Sequence, residues 1–545
     1  GTFSEKSKLL LRHLSHFSMG VDIADFNNDG FPDILTLDML PQDNHRQKSL
    51  QMEENYESFE LMQRQDLYKQ YMRNMLQLNN GNGTFSEIAQ LSGIAATDWS
   101  WCPLIADFDN DGYKDIFISN GYLRDYTNKD FLRYWGDYKI KKAMAREPFL
   151  LMDLVTAMPS TKLPNYIFRN NHNLTFSNKQ QDWGMTNATI SNGAVYADLD
   201  NDGDLDLVVN NINEEASVYQ NTSRETSHTS FIGIKLKGKG ANTNAIGAKV
   251  FVHVKTVSQY QEVNPGRGYL SSVSTVLNFG LGEAKTVDSI RVIWPDQTQQ
   301  SMQNVAANQC LVISYQPEKN TKKSTVKTVS PLFTKVDPLI NYTSEENPIN
   351  DFKRQLLMLF MYSKTSPVIT KADVNKDGLE DLFISGDQLS PGKIFTQQAN
   401  GTFKPMDLPG GEQTATISAA AFFDANNDGF PDLYLAKGGY ALYEPNTLDL
   451  QDQLFLNDKK GNFYLSPIPL PNVNASSKSV VRPCDFDGDG DVDLFVGGRV
   501  IPGQYPLAPK SYLLVNDGKG NFTSTQIPFE NAGMVNDATW VDLDK

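Results

Sequence analysis

The sequence has few cysteines, no basic stretch and no long apolar run, and each lack excludes a class of protein. Its three cysteines, Cys102, Cys310 and Cys484, lie in separate segments. This excludes a disulfide framework and a cysteine-ligated zinc site, and we expect three buried thiols. The net charge of −16 and the missing basic stripe argue against a nucleic-acid partner. No run reaches the roughly 18 apolar residues of a transmembrane helix.

The sequence also lacks a catalytic constellation. Its six histidines form no metal-ligand pair with cysteine or glutamate at a diagnostic spacing. It contains neither a Gly-x-Ser-x-Gly elbow nor a phosphate-binding P-loop. We therefore predict that the chain is not an enzyme. A polysaccharide-degrading enzyme remains the alternative. Such an enzyme needs two acidic residues without a metal ligand in one cleft, and the sequence does not show which residues share a cleft.

One aspartate-rich loop, in contrast, occurs six times. Positions 1, 5 and 9 are Asp, position 3 is Asp or Asn, and position 6 is Gly. Oxygen ligands around a Gly bend are what calcium needs, and position 7 can add its backbone carbonyl. The predicted ligands of loops 1 to 6 are Asp25, Asn27, Asp29, Phe31 and Asp33; Asp107, Asp109, Asp111, Tyr113 and Asp115; Asp198, Asp200, Asp202, Asp204 and Asp206; Asp373, Asn375, Asp377, Leu379 and Asp381; Asp424, Asn426, Asp428, Phe430 and Asp432; and Asp485, Asp487, Asp489, Asp491 and Asp493.

Two other interpretations of these loops are weaker. An EF-hand needs a glutamate at position 12 and flanking helices, but position 12 is Thr36, Ile118, Val209, Ile384, Leu435 or Val496, each in a β-rich run. Solvated acidic turns without an ion would leave three or four carboxylates repelling one another in every loop. We therefore predict about six calcium ions, with binding coupled to folding.

A second recurring element, an Asn/Gly hairpin, pairs with the loops. Leu78 to Phe85 and Val515 to Phe522 are examples, and Asn-Gly or Asp-Gly between apolar strands is a hairpin signal. One unit is thus predicted to contain a loop, a strand, a connection, a second strand, a tight turn and a third strand. This order of elements is typical of a β-propeller blade. Two insertions, residues 40–75 and 121–165, have helical composition and apolar spacing.

The predicted fold class is all-β with several domains. Residues 1–225 form propeller blades, residues 226–316 a small β domain without metal loops, residues 317–334 a polar linker, and residues 335–545 part of a second propeller. A chain of 545 residues is too long for one core.

These motifs resemble known families. The loop-plus-hairpin units resemble FG-GAP or VCBS repeats, the calcium-bearing blades also found in integrin α-chains. The middle domain resembles the ASPIC/UnbV domain through Ile246 to Val250, Gly266 to Leu270, Phe279 to Gly282, Val292 to Pro295 and Val305 to Gln309. Cartilage acidic protein-like proteins and large VCBS-repeat lipoproteins of Bacteroidota share this combination. The resemblance implies a calcium-binding, secreted or surface-anchored protein with no defined reaction.

Location and partners follow as expectations. We expect an extracellular or cell-surface protein, because weak carboxylate sites fill at extracellular calcium levels. The resemblance to the VCBS-repeat lipoproteins further implies a lipid anchor in the outer membrane. We also expect a piece of a longer protein lacking its signal and anchor. Gly1 to Glu5 repeats Gly83 to Glu87, and a seventh loop begins at Asp542.

The expected function is a calcium-binding surface scaffold in an outer-membrane transporter or assembly complex. A glycan-binding adhesin and a propeller-based enzyme are the alternatives. Long excursions from a rigid scaffold often carry function, so the insertions are candidate partner surfaces, although their aromatic residues could instead pack on the propeller rim. Arg267 could contact an anion or serve as a structural turn residue. The candidate partner-binding residues are Tyr126, Phe131, Tyr134, Trp135, Tyr138 and Arg267.

Overall fold

The computed structural model describes residues 3–50, 56–148, 150–316, 337–345, 348–356, 358–364, 367–386, 389–409, 415–471 and 476–543. The chain divides into two compact units, residues 1–326 and 327–545. The predicted linker, residues 317–334, lies outside the described residues, and the predicted domain limits stay predictions.

The first unit begins with three antiparallel meander sheets, here called blades 1 to 3. Their strands are, blade by blade, Val21–Ala24, Asp33–Thr36, Met75–Asn79 and Phe85–Glu87; Ser100–Ala106, Asp115–Asn120, Tyr166–Asn170 and Phe176–Asn178; and Ser191–Ala197, Asp206–Asn211 and Ser217–Tyr219. In each blade the predicted metal loop joins the first two strands. The first strands of consecutive blades lie side by side. All of Asp115–Asn120 is buried, because blade 2 packs between its two neighbours.

Both predicted insertions contain helices. The first insertion carries Asn44–Ser49 and Tyr56–Arg64, and the second carries Lys129–Ala145 and Leu151–Ala157. The 17-residue helix of the second insertion starts where the Asn128 side chain accepts the backbone N–H of Phe131, which satisfies one free donor of the first turn. The remaining short elements of this part are the helices Ser7–Leu10, Ala89–Ser92 and Ser223–Ser227 and the strands Leu14–Ser15, Gln70–Tyr71, Leu163–Pro164 and Ala188–Thr189.

A small β domain follows blade 3, as the sequence predicts. One sheet pairs Ser230–Lys237 with Leu277–Gly282 and Gln309–Ser314, and a second sheet contains Lys249–Val254, Val257–Glu262, Thr286–Ile293 and Gln299–Ala306. The two sheets share one apolar core that includes the fully buried Phe279 and the nearly fully buried Trp294. A short hairpin, Gly266–Arg267 with Ser271–Ser272, extends from this domain.

The second unit contains three four-stranded antiparallel sheets, blades 4 to 6. Their strands are, blade by blade, Val368–Ala372, Asp381–Ser385, Lys393–Gln397 and Phe403–Asp407; Thr416–Phe423, Asp432–Gly438, Gln453–Asn457 and Phe463–Leu465; and Ser477–Cys484, Asp493–Val500, Tyr512–Asn516 and Phe522–Thr525. Two 3-10 helices, Asp351–Lys353 and Leu448–Leu450, lie outside the sheets. The architecture is all-β and propeller-like, as the sequence predicts.

The prediction of three buried thiols is confirmed only for Cys102. Cys102 is buried in blade 2, Cys484 is half-buried, and Cys310 is exposed. Cys310 lies on Gln309–Ser314, an edge strand of the β domain. Successive side chains of a strand point to opposite faces of the sheet. Ile313 is buried in the core, whereas Cys310 and Val312 lie on the exposed face of the strand.

Candidate metal centres

Two positions fix the backbone of each loop. The position-6 glycine has φ between 84° and 101° in all six loops, a left-handed conformation that residues with a Cβ rarely adopt. Position 4 is also left-handed in every loop. It is occupied by Asn28, Asn110, Asn201, Lys376, Asn427 and Gly488, with φ from 56° to 79°. Asparagine tolerates this region better than most residues, so these loops bend where the sequence permits it.

The position-9 aspartate anchors each loop to the sheet. Its Oδ2 accepts the backbone N–H of position 2 at 2.8–3.2 Å. Its Oδ1 accepts the backbone N–H of the last residue of the third strand or, in blade 3, of Asn221 just after that strand, at 2.7–2.9 Å. Both contacts occur in all six blades. The carboxylate is therefore fixed in place by protein donors and still has lone pairs for a cation.

Positions 1 and 5 are oriented in a similar way. In loops 1, 2, 4, 5 and 6 the position-1 Oδ2 accepts the N–H of the position-6 glycine at 2.6–3.1 Å. In all six loops the position-5 Oδ1 accepts the N–H of position 7 at 2.8–3.1 Å. These bonds wrap the loop around its own carboxylates. The carbonyl contribution of position 7 stays a prediction.

The carboxylates of positions 1, 3 and 9 converge wherever position 3 is aspartate. In loops 2, 3 and 6 one oxygen of each lies within 4.8 Å of the others, in the groups Asp107, Asp109 and Asp115; Asp198, Asp200 and Asp206; and Asp485, Asp487 and Asp493. Loops 1, 4 and 5 have asparagine at position 3. Its Oδ1 accepts the N–H of the position-5 aspartate at 3.0–3.3 Å.

The chemistry of these loops fits a hard divalent cation. Burial raises the pKa of Asp33 to about 7 and that of Asp432 to about 6. Burial, with neighbouring carboxylates, raises the pKa of Asp107 well above its ordinary value. The Oδ1 atoms of Asp107 and Asp198 are buried and have no hydrogen-bond partner within the described part of the chain. Clustered oxygens with unused lone pairs are the donor set of a metal site.

Two basic side chains contact loop 2. Arg169 donates from Nε to Asp109 Oδ2 at 2.7 Å and from Nη2 to Asp111 Oδ2 at 3.1 Å. His172 lies 2.9 Å from Asp111 through Nε2 and stacks on the Tyr113 ring. The Arg169 guanidinium offsets part of the negative charge of loop 2.

An asparagine at or just after the end of the third strand joins neighbouring blades. This role was not predicted from the sequence. Its Nδ2 donates to the position-2 carbonyl of the preceding loop at 2.7–3.0 Å. The pairs are Asn170 with Phe26, Asn221 with Phe108, Asn457 with Val374 and Asn516 with Ala425. These asparagines are the first residues of the Asn-rich turns in the sequence. A role in the turn was sufficient to explain them, so the contact with the neighbouring blade was not predicted.

The candidate partner residues of the second insertion do not form one surface. Phe131 is buried, and Trp135 and Tyr138 are half-buried. The Tyr138 hydroxyl donates to Asp153 on the following helix. Tyr134 is 46% exposed and Tyr126 is 45% exposed. Some of these aromatic residues therefore pack within the insertion, and the others face solvent.

Arg267 is placed by the β-domain hairpin against the blades. Its side chain is 11% exposed and pairs with Asp22 of blade 1. It also donates to the Ile105 carbonyl of blade 2 at 3.0 Å and to the Tyr196 hydroxyl of blade 3 at 3.3 Å. This arrangement favours the structural alternative for Arg267 over contact with an outside anion. A cavity of about 250 Å³ lies beside it, lined by Asp25, Asp107 and Lys114 among others.

Comparisons with known proteins agree with this architecture. FG-GAP-like repeats match residues 67–118, 151–209 and 373–435, and the family ASPIC and UnbV matches residues 238–320. The chain therefore contains FG-GAP-like repeats and an ASPIC/UnbV domain, a combination typical of β-propeller-type binding or scaffold proteins. A comparison with curated proteins found no match.

One of the solved structures that match is "Crystal structure of BBS1N in complex with ARL6DN, soaked with mercury". It is 10% identical in sequence, and the alignment covers 89% of this chain and 91% of that chain. Its TM-score is 0.16, so the likeness carries no argument about this chain. Separately, no helix within the described ranges is both long and apolar enough to cross a membrane.

Proposed function

We propose that this chain is a calcium-stabilised scaffold at a cell surface, and that it binds a protein partner of an outer-membrane complex. The observation that carries the proposal is the repeated anchoring of the position-9 aspartate by two backbone donors in all six blades. It places carboxylate oxygens for an ion at the same point of every blade. Calcium accepts six to eight such oxygens in flexible geometry, whereas magnesium demands a near-ideal octahedron.

The structural role of these sites follows from charge. The side-chain oxygens of positions 1, 3 and 9 would hold the ion, and calcium bound there would cancel the repulsion among the carboxylates of each loop. Position 9 already contacts the third strand, so each filled site would join loop and sheet. Binding to the folded chain alone stabilises it by about 2.7 kcal/mol per site when the ligand is at a hundred times its Kd. Millimolar extracellular calcium suits weak sites of this kind.

The second insertion supplies the proposed partner surface. Its most exposed apolar residues are Ile140, at 60% exposure, Met144, at 82%, Leu151, at 67%, and Met152, at 68%. The helix Lys129–Ala145 also carries five lysines and arginines against two aspartates. In a chain of net charge −16, this basic and apolar surface suits an acidic partner. We propose a binding role rather than catalysis for it.

The proposal is tested by purifying the full-length protein from its native membrane, in calcium and in chelator. Ile140→Glu combined with Met144→Glu should abolish co-purification of a stoichiometric partner. Leu91→Glu, at a 65% exposed site outside the insertion, is the matched control and should retain it. We expect chelator to release the partner as well. A protein that elutes alone in every condition, or turns over a glycan, would contradict the scaffold role.

A further inference from the structure

Blade 3 differs from the other blades after its third strand. In blades 1, 2, 4, 5 and 6 the third strand continues through a turn into a fourth strand. In blade 3 the short helix Ser223–Ser227 occupies that place. This helix brings Glu225 back toward loop 3.

Glu225 completes a second acidic group beside the metal loop. Carboxylate oxygens of Asp202, Asp204 and Glu225 lie within 4.8 Å of one another. The group is separate from Asp198, Asp200 and Asp206, which form the loop centre of the same blade. Asp204 occupies position 7, where calcium loops use the backbone carbonyl, so its side chain is free for a different ligand.

The Asp204 side chain itself points to a ligand. It is fully buried, with 0% exposure. Its Oδ2 accepts from the Ser223 hydroxyl at 3.3 Å and from the Arg224 backbone N–H at 3.2 Å. Its Oδ1 is buried and has no hydrogen-bond partner among the residues that the structure describes. A buried carboxylate oxygen without a donor is costly unless a cation or a proton meets it.

The neighbouring basic side chain does not supply that cation. Arg224 follows directly after Ser223, but its guanidinium lies over the Phe231 ring, 4.9 Å from the ring centre. Loop 6 is a useful contrast, because it also has aspartate at position 7. There Asp491 is half-buried and its Oδ1 accepts from the Asn427 side chain. In loop 3, in contrast, the Oδ1 of the position-7 aspartate is buried and has no donor among the described residues.

We propose that Asp202, Asp204 and Glu225 bind one divalent cation that prefers oxygen ligands, in addition to the ion of loop 3. Calcium is the expected ion, because three carboxylates on a loop and a short helix form a flexible all-oxygen donor set. Asp202 is also the predicted position-5 ligand of loop 3, so its carboxylate would serve both ions. This inference rests on the proposed function, because it assumes that calcium is the ion bound at both centres.

The test counts calcium bound to the full chain by equilibrium dialysis against a series of free calcium concentrations. Glu225→Gln should bind one ion fewer than wild type, or bind that ion at least tenfold more weakly. Glu225→Lys should lose it at every concentration, because an ammonium would occupy the position. Glu215→Gln, an exposed glutamate of the same blade, is the matched control and should bind as wild type does.

The outcomes separate this inference from the proposed function. Equal ion counts and affinities for wild type and both Glu225 variants, with calcium still bound, would overturn the second centre alone. A wild-type chain that binds no calcium would overturn both proposals. Glu225 is exposed on a short helix, so its substitution leaves the core of the blade intact.

Discussion

Arg267 of the β domain donates from Nη2 to Asp22 Oδ2 of blade 1 at 2.7 Å, across 245 residues of sequence. Asp22 Oδ2 also accepts the backbone N–H of Ile105 in blade 2 at 2.7 Å. One buried ion pair therefore contacts two blades, and through Tyr196 the arginine reaches the third. The β domain and blades 1 to 3 are joined at this point within the first unit.

Replacing Arg267 with alanine should destabilise the first unit by about 3–5 kcal/mol, because it leaves the Asp22 carboxylate buried without a charge partner. Chemical denaturation of the full chain measures this change. The exposed pair Lys371 and Glu380 is the control, and Lys371→Ala should have little effect. Equal stability of the Arg267→Ala variant and wild type would refute the joining role.

Replacing Asn457 with alanine should cost about 1–3 kcal/mol, because two carbonyls then lack their buried donor. Its Nδ2 donates to Val374 in the neighbouring blade at 2.8 Å and to Pro431 at 3.1 Å. Asn462→Ala, in the exposed turn of the same hairpin, is the matched control. If the two variants unfold at the same denaturant concentration, the contact between blades contributes nothing.

In chelator, the free energy of unfolding should fall as pH rises toward neutrality. Burial raises the pKa of Asp33 from 3.8 to about 7, so the folded chain binds this proton more tightly than the unfolded chain does. The resulting stability is complete below pH 3.8 and is lost as pH rises through about 7. Denaturation at about pH 5 and about pH 7.5 measures the slope.

The Asp33→Asn variant should reduce that slope, because the titrating group is gone. Calcium should stabilise wild type more at the higher pH, since protons and calcium compete for the same carboxylates. If calcium stabilises the chain equally at both pH values, the carboxylates with raised pKa values are not the calcium ligands.

The loops and hairpins could be predicted because their chemistry is local. Positions 1 to 9 lie within nine residues, so Asp25 to Asp33 reveals the donor set directly. Asn-Gly turns likewise determine the hairpin between two adjacent strands. The helices of both insertions followed from composition and apolar spacing.

The contacts between blades could not be predicted because their partners are distant in sequence. Asn170 contacts Phe26 across 144 residues. Nothing in the sequence around Asn170 distinguishes an asparagine that only forms a turn from one that also contacts another blade. Glu225 was missed for the same reason: its relation to Asp202 and Asp204 depends on the helix that replaces the fourth strand of blade 3. The Arg267 motif left two alternatives open until Asp22 was placed beside it.

Thermal unfolding of the full chain in about 1 mM calcium, about 1 mM magnesium and chelator tests the central claim most directly. The account predicts that calcium raises the Tm by several degrees for each filled loop, while magnesium raises it much less. Chelator should return the calcium-loaded protein to the lower Tm. An identical Tm in all three conditions would contradict the assignment of the six loops as calcium sites.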